Sequence, residues 1–396
     1  MEKINGLILK NLLESGAHNL SNQRKAVDAM NVFPVPDGDT GTNMSLTILN
    51  GISEVTKSGS ESLSTVAKIF SRGLLMGARG NSGVILSQIF RGFAQYAKDK
   101  EELTVKEFSE ALINGSKMAY KAVMRPTEGT ILTVVRESAE YGEIYINNHP
   151  ESSIEEFVNY IVDEANASLQ RTPELLDVLK EAHCVDSGAM GYVTILEGFK
   201  SYLQGKPITE NLAGDTADTE VHEKASGYRV EYIISLSDNG KKTFKEERVR
   251  KQLEQIANDI QLAVKEDAFT LSVHSMTPGE VLMLGQKYGK FGKVQVEDIQ
   301  SDLQPSLMEA EEAAIENAAY GIIAVAAGEG LKKLFTDYRV NYVVSGGQTM
   351  NPSTEDFVTA ISKVHADTIY ILPNNSNIIM AAKQAAEVTE DKKIIV

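Results

Sequence analysis

The chain has 396 residues, 42% of them apolar, and a formal net charge of −16. A single hydrophobic core stops growing near roughly 250 to 300 residues, so two or three domains are expected. The acidic balance argues against nucleic acid as a partner, because that affinity comes from Lys and Arg neutralising phosphates, and the single cysteine, Cys184, rules out an internal disulfide and suits a reducing cytoplasm.

Residues 1–13 mix apolar with charged and polar positions at helical spacing, without the apolar run of a signal peptide. No stretch approaches the length of a membrane span. Up to about residue 203 the apolar positions recur at helical intervals, as in Val105, Phe108, Leu112, Ala119 and again in Phe157, Ile161, Ala165, Leu169. Residues 1–203 therefore read as an all-helical domain, a bundle or barrel. Residues 204–226 turn to Gly, Asp, Thr and Glu and read as a solvated linker. Beyond it the spacing predicts strand 228–236, helix 247–260, strand 268–274, a helix over 278–288 opened by Pro278, and strand 293–299, a small α+β domain of βαβαβ order at 227–305. In 306–396 strand and helix alternate: strands 321–326, 340–344, 368–372 and 394–396, with helices from 329, 354 and 377. That alternation predicts a parallel sheet with crossover helices. The sequence stops as its last strand opens, which predicts an α/β domain extending past residue 396.

The chemistry-bearing segment is Asn31-Val-Phe-Pro-Val-Pro-Asp37-Gly38-Asp39-Thr40-Gly41-Thr42-Asn43-Met44. Prolines stiffen its approach, and glycines free the backbone where Asp37 and Asp39 alternate. Two carboxylates aimed at one small volume suit magnesium, which takes oxygen ligands from one or two carboxylates, water and phosphates. Thr40, Gly41, Thr42 and Asn43 then open a helix, whose free N–H groups suit a phosphate. An Asp-Gly-Asp turn alone would read as a capped loop with Asp39 or Thr42 as the N-cap; the following Thr-Gly-Thr-Asn tips the balance towards a site. A second turn, Gly77-Ala-Arg79-Gly80-Asn81-Ser82-Gly83, matches neither the P-loop nor the dinucleotide fingerprint and fits a tight helix-helix turn as well as a phosphate cradle. Arg125-Pro-Thr-Glu-Gly129-Thr130 and His183-Cys-Val-Asp186-Ser187-Gly188 repeat the theme. Four such turns at one end of one helical domain would crown a polyphosphate.

On these residues the chain resembles the nucleotide-binding subunit of dihydroxyacetone kinases and, over a longer stretch, the fatty-acid kinase A subunit, including Gly227-Tyr228, the segment 344–354 and Ile371-Leu-Pro-Asn-Asn375. The resemblance implies an eight-helix barrel holding ATP and two magnesium ions, with Asp37 and Asp39 as metal-binding catalytic residues and Asn31 as a neutral third ligand where those enzymes place an aspartate. It also implies phosphate and nucleotide contacts from Thr40, Gly41, Thr42, Asn43, Asn81, Ser82, Gly83, Gly129, Thr130, Asp186, Ser187 and Gly188. Similar proteins carry zinc-suited Cys and His-x-His positions in the middle domain; here these are Arg229, His274 and Met276, so no zinc is expected.

The implied reaction moves the γ-phosphoryl of ATP onto the carboxylate of a fatty acid presented by a separate fatty-acid-binding protein, giving an acyl phosphate for phospholipid synthesis. A carboxylate acceptor is ionised at neutral pH and needs no general base, in keeping with His18 and His183 reading as structural. Two rival readings stand beside it: a kinase of dihydroxyacetone or another small polyol, and a non-catalytic scaffold. A homodimer stays open, and the loop Ser345-Gly346-Gly347-Gln348-Thr349 divides evenly between ligand site and interaction loop.

Overall fold

Helix α1 (Gly6–Asn22) shows why the first half folds as it does: Leu9, Leu12, Leu13, Ala17 and Leu20 recur every three or four residues and are all buried. The computed structural model describes residues 2–211, 228–237, 240, 243–253, 256–265, 268–298, 318–347 and 350–396. After α1 come the short α2 (Arg24–Asp28), then α3 (Thr40–Ser58), α4 (Leu63–Gly77), α5 (Gly80–Tyr96), α6 (Val105–Ala122), α7 (Ile131–Asn148), α8 (Ile154–Leu175), the short α9 (Asp177–Glu181) and α10 (Ser187–Leu203). Reciprocal capping boxes start α6, between Thr104 and Glu107, and α8, between Ser153 and Glu156.

Each long helix packs on its neighbour, and α10 returns to α1. Val105, Phe108, Leu112 and Ala119, with Phe157, Ile161, Ala165 and Leu169, lie in the shared core as their spacing predicts. Phe108 bridges Phe93 and Phe157 edge-to-face at centroid distances of 5.8 and 6.0 Å. Burial of each such side chain contributes roughly 1.5–3 kcal/mol. The domain is not purely helical: β1 (Lys3–Asn5) and β2 (Glu102–Thr104) pair antiparallel, tying the chain start to the α5–α6 connection.

Contact clustering divides the chain into two units, Met1–Leu212 with Ile315–Val396, and Ala213–Ala314. Most of the expected linker, from 212 to 226, lies outside the described residues. The second unit contains β3 (Tyr228–Leu236), α11 (Glu246–Leu253), β4 (Asn258–Lys265), β5 (Ala268–Ser275), α12 (Pro278–Gln286) and β6 (Gly289–Asp298). Its sheet is antiparallel with order β4-β5-β3-β6, which corrects the expected βαβαβ unit. The expected helix over 247–260 stops at Leu253, and a fourth strand follows. Val249, Leu253, Ile256 and Ile260 mimic a helical repeat, but Ile260, Leu262 and Val264 alternate with period two in a strand that pairs with β5. Val230, Tyr232 and Ile234 of β3 face the core of this unit.

Within the first unit, β7 (Ala318–Ala326), α13 (Glu329–Asp337), β8 (Tyr342–Ser345), α14 (Thr354–Ser362), β9 (Ala366–Leu372), α15 (Ile379–Val388) and β10 (Lys393–Ile395) form the expected parallel sheet, ordered β10-β9-β7-β8. The chain leaves β7 for β8 on one side and then β9 on the other. That reversal places the loops after β8 and β9 on either side of a topological switch point. The sheet and its helices share a buried cluster with Ala78 and Val84 at the α4–α5 turn, and Phe357 and Ile378 are fully buried there. This α/β segment is thereby seated on one end of the helical domain.

Helix α10 can approach α1 only because Gly16 and Gly198 meet: a Cβ on Gly198 would lie 2.5 Å from Gly16 Cα and 2.6 Å from Ser15 O. Gly198→Ala should therefore lower stability by ~1–3 kcal/mol, read as a lower thermal midpoint. Gly279→Ala, with open space around it, should leave the midpoint unchanged. Equal midpoints for wild type and Gly198→Ala would show that the contact does not set the packing.

Candidate active site

The four glycine-bearing turns do converge. One cavity of ≈ 220 Å³ is lined by Asn31, Asp37, Asp39, Thr40 and Asn43 from the first turn, Asn81 and Ser82 from the second, Thr130 from the third, and Asp186, Ser187 and Gly188 from the fourth. Each turn opens a helix of four or more helical turns: α3, α5, α7 and α10. Ile85, Val123, Ile131, Leu132 and Met380 supply apolar wall, and Arg125 and Thr127 also contribute to the lining.

At the first turn the capping explanation fails. Asp39 occupies the N-cap position of α3, yet its side chain makes no capping hydrogen bond. Its Oδ2 instead accepts a hydrogen bond of 2.5 Å from Asn351 Nδ2. Arg79 and Thr130 likewise cap α5 and α7 without a side-chain bond to the helix N–H groups, so these three helix ends keep donors free for an anion. The fourth turn differs: Asp186 Oδ2 accepts from Ala189 N at 2.8 Å, an ordinary N-cap.

Burial raises the Asp39 carboxyl well above the usual carboxylate range, and the neighbouring Asp37 charge adds to the rise. Asp37 Oδ1 is buried without a hydrogen-bond partner. Two crowded carboxylates with an orphaned oxygen fit a hard cation, which would remove both costs. Among the described residues no group of three or more His, Cys, Asp and Glu side chains is arranged to hold a metal; this pair would share its cation with neutral oxygens.

Asn31 is occupied otherwise than expected. Its Oδ1 accepts from Asp39 N and Thr40 N, each at 3.1 Å, and from Thr40 Oγ1 at 2.8 Å, while its Nδ2 donates to Val35 O. In this structure it clamps the loop rather than offering an open oxygen. Four further expected contacts stand behind the wall. Thr42 donates from N and Oγ1 to the Asp28 carboxylate at 3.0 and 2.8 Å, Gly41 and Gly83 let neighbouring elements approach closely, with a Cβ meeting Arg24 O or Thr47 Oγ1 at 2.4 Å, and Gly129 adopts φ +78° while donating to Thr133 Oγ1.

The residues missed by the sequence reading come from the α/β segment. Asn377 lines the cavity and donates from Nδ2 to Asp37 Oδ2. Asn351 reaches Asp39. Both lie in segments singled out by resemblance, 344–354 and just past 371–375, but nothing in their spacing announces a partner more than three hundred positions earlier. Gly346 N bonds to Ala326 O and Gly347 N to Met350 O, so the loop after β8 folds back and delivers Asn351; Gln348 and Thr349 lie outside the described residues. The histidines stay apart: His18 Nδ1 is 3.1 Å from Ile208 O, His183 adopts φ +52° before the fourth turn, and His274 stands in register with Arg229 between β5 and β3.

Burial pushes the Asp186 carboxyl up to about 6, above the ordinary unfolded value of ~3.9. The folded state thus holds this proton more tightly, and stability from this group falls as pH rises from about 4 to about 6. Asp186→Asn keeps the cap and removes the titration. Its stability relative to wild type, measured by urea unfolding of the metal-free protein, should rise by up to ~3 kcal/mol across that window and then level off; a pH-independent difference would contradict the assignment.

Known proteins bear on the same residues. The DAK2 domain matches residues 34–201, and the FakA-like middle and C-terminal domains, both of the fatty acid kinase family, match 225–305 and 321–396. Protein YloV of Bacillus subtilis (strain 168) is 42% identical over 99% of this chain and 74% of its own length. An uncharacterized protein of Staphylococcus aureus (strain USA300) is 40% identical over all of this chain and 74% of its own. Among solved structures, the dihydroxyacetone kinase of C. freundii in its native form is similar over 50% of this chain, with TM-score 0.40 and 19% identity; the matched part spans only 35% of that chain. Three successive domain matches agree with relatives matched along the whole chain: the protein belongs to the FakA-like family of fatty acid kinases.

Proposed function

We propose that the chain is the ATP-binding component of a kinase that moves the γ-phosphoryl of ATP to the carboxylate of a fatty acid, presented by a separate fatty-acid-binding protein. The observation that carries this reading is the single cavity shared by Asp37, Asp39 and the N-terminal turns of α3, α5, α7 and α10. A nucleoside would rest on the apolar wall of Ile85, Val123, Ile131 and Leu132, and its phosphates would meet the open helix ends around Thr40, Asn81, Ser82 and Thr130.

Asp37 and Asp39 would hold magnesium, with nucleotide oxygens and water in its other positions. When bound, the cation neutralises charge on the phosphates and aligns them. Asn31 fixes the loop so that both carboxylates stay directed into the cavity. Arg125 in the lining adds a cation near the transferred group. A carboxylate oxygen of the acceptor forms the new O–P bond while the bond from the γ-phosphorus to the bridging oxygen breaks, and ADP leaves with that electron pair. No proton has to be removed from the acceptor.

Among the described residues no histidine lines the cavity, which favours an ionised acceptor over a polyol hydroxyl that needs a base. With the fatty-acid-loaded partner, ATP and magnesium, Asp37→Ala and Asp39→Ala should each lower acyl-phosphate formation by on the order of 10²-fold or more, with the thermal midpoint preserved. Phosphorylation of dihydroxyacetone in place of the fatty acid, or full activity in both variants, would overturn the reading.

A further inference from the structure

The α/β segment does more at this site than sit beside it. Its loop after β8 brings Asn351 Nδ2 to Asp39 Oδ2 at 2.5 Å, and its loop after β9 brings Asn377 Nδ2 to Asp37 Oδ2. Each metal-site carboxylate thus takes one amide from the same segment. Asn351 is 2% exposed and Asn377 6%, so neither is a chance surface contact. The loops are anchored independently: Arg79 Nη1 donates to Asn351 O at 2.8 Å, Thr354 N to Ala78 O at 3.1 Å, and Asn81 Nδ2 to Asn377 Oδ1 at 3.0 Å. Further along the same seam, Gln384 Nε2 donates to Leu75 O, and its Oε1 accepts from Gln88 Nε2.

A second observation points to a ligand. Asn351 Oδ1 is buried with no hydrogen-bond partner, as is Asp37 Oδ1. A native fold leaves few buried oxygens unsatisfied, and each costs about 1–3 kcal/mol. Oxygens of this kind beside two carboxylates are what a magnesium ion or its water shell would satisfy. The switch point of the parallel sheet is also where open α/β sheets receive ligands.

We infer that Asn351 and Asn377 are positioning residues of the phosphoryl-transfer centre: their amides orient Asp39 and Asp37 for the cation, so that the centre is completed only by the α/β segment. The inference rests on the kinase reading above. It assigns the loop Ser345–Asn351 to the active centre, and it makes the seating of the α/β segment, which is to engage the acyl-bearing partner, a condition of cation binding.

The test is calorimetric titration of magnesium into the full chain at saturating ATP, followed by ATP at saturating magnesium. Asn351→Ala and Asn377→Ala should each raise the half-saturating magnesium concentration by ~10-fold or more, the cost usual for removing a group that orients metal ligands. Asn351→Leu and Asn377→Leu, which keep the volume and spare the packing, should do the same. Gln384→Leu, in the same seam but away from the carboxylates, should leave the value within about threefold of wild type, a packing change without loss of ligand orientation. An unchanged magnesium requirement in the asparagine variants, or an equal loss in Gln384→Leu, would sink the proposal. So would tighter magnesium binding, which would mean that the amides compete with the cation. Wild type that takes up no ATP with magnesium would fell the kinase reading as well; wild type that binds while the variants match it would fell this inference alone.

Discussion

Two carboxylates two residues apart, one buried and one half-buried and both facing one cavity, are an electrostatic liability that the rest of the first unit is built to hold in place. The charge on Asp37 raises the cost of ionising Asp39, and burial raises it further. The loop could relax by turning either side chain to solvent. It does not, because Asn31 Oδ1 grips Asp39 N, Thr40 N and Thr40 Oγ1 from one side, while Asn351 and Asn377 hold the carboxylates from the other. Stability given up here is the usual signature of a site that recovers it on binding.

The helical core and the α/β segment divide the labour around that loop. The core aligns four helix starts at one end, and close glycine contacts at Gly16, Gly41, Gly83 and Gly198 set how near its helices come. The α/β segment contributes apolar anchorage through Phe357 and Ile378 against Ala78 and Val84, and hydrogen bonds to Arg79, Asn81 and Gln88. The turn between α4 and α5 therefore serves two masters. Its far side receives the α/β segment, and its near side offers Asn81 and Ser82 to the cavity. Any change in how that segment sits would reach the carboxylates within one or two hydrogen bonds.

Much of this was legible in the residue pattern. Apolar spacing gave the long helices because a 3.6-residue period has no strand equivalent over a long run of positions, and the strand–helix alternation after residue 318 gave the parallel sheet. The Asp37–Asn43 loop stood out because its chemistry is local: metal-suited carboxylates, glycine and a helix start in consecutive residues. Strand β4 was hidden because Val249, Leu253, Ile256 and Ile260 satisfy a helical period across what is in fact a helix end and a strand start. Thr42, Gly41, Gly83 and Gly129 belong to the right turns but serve packing and turn geometry, a distinction set by side-chain direction and invisible in spacing. Asn351 and Asn377 were beyond reach for another reason: their partners lie 312 and 340 positions away, and asparagine in a loop is ordinarily a turn residue.

The most direct test of a magnesium-dependent nucleotide site is calorimetric titration of the wild-type chain with ATP, once with magnesium and once with the cation chelated. One saturable site per chain that requires magnesium is the expected result. Binding of equal strength without the cation, or no binding in its presence, would contradict it.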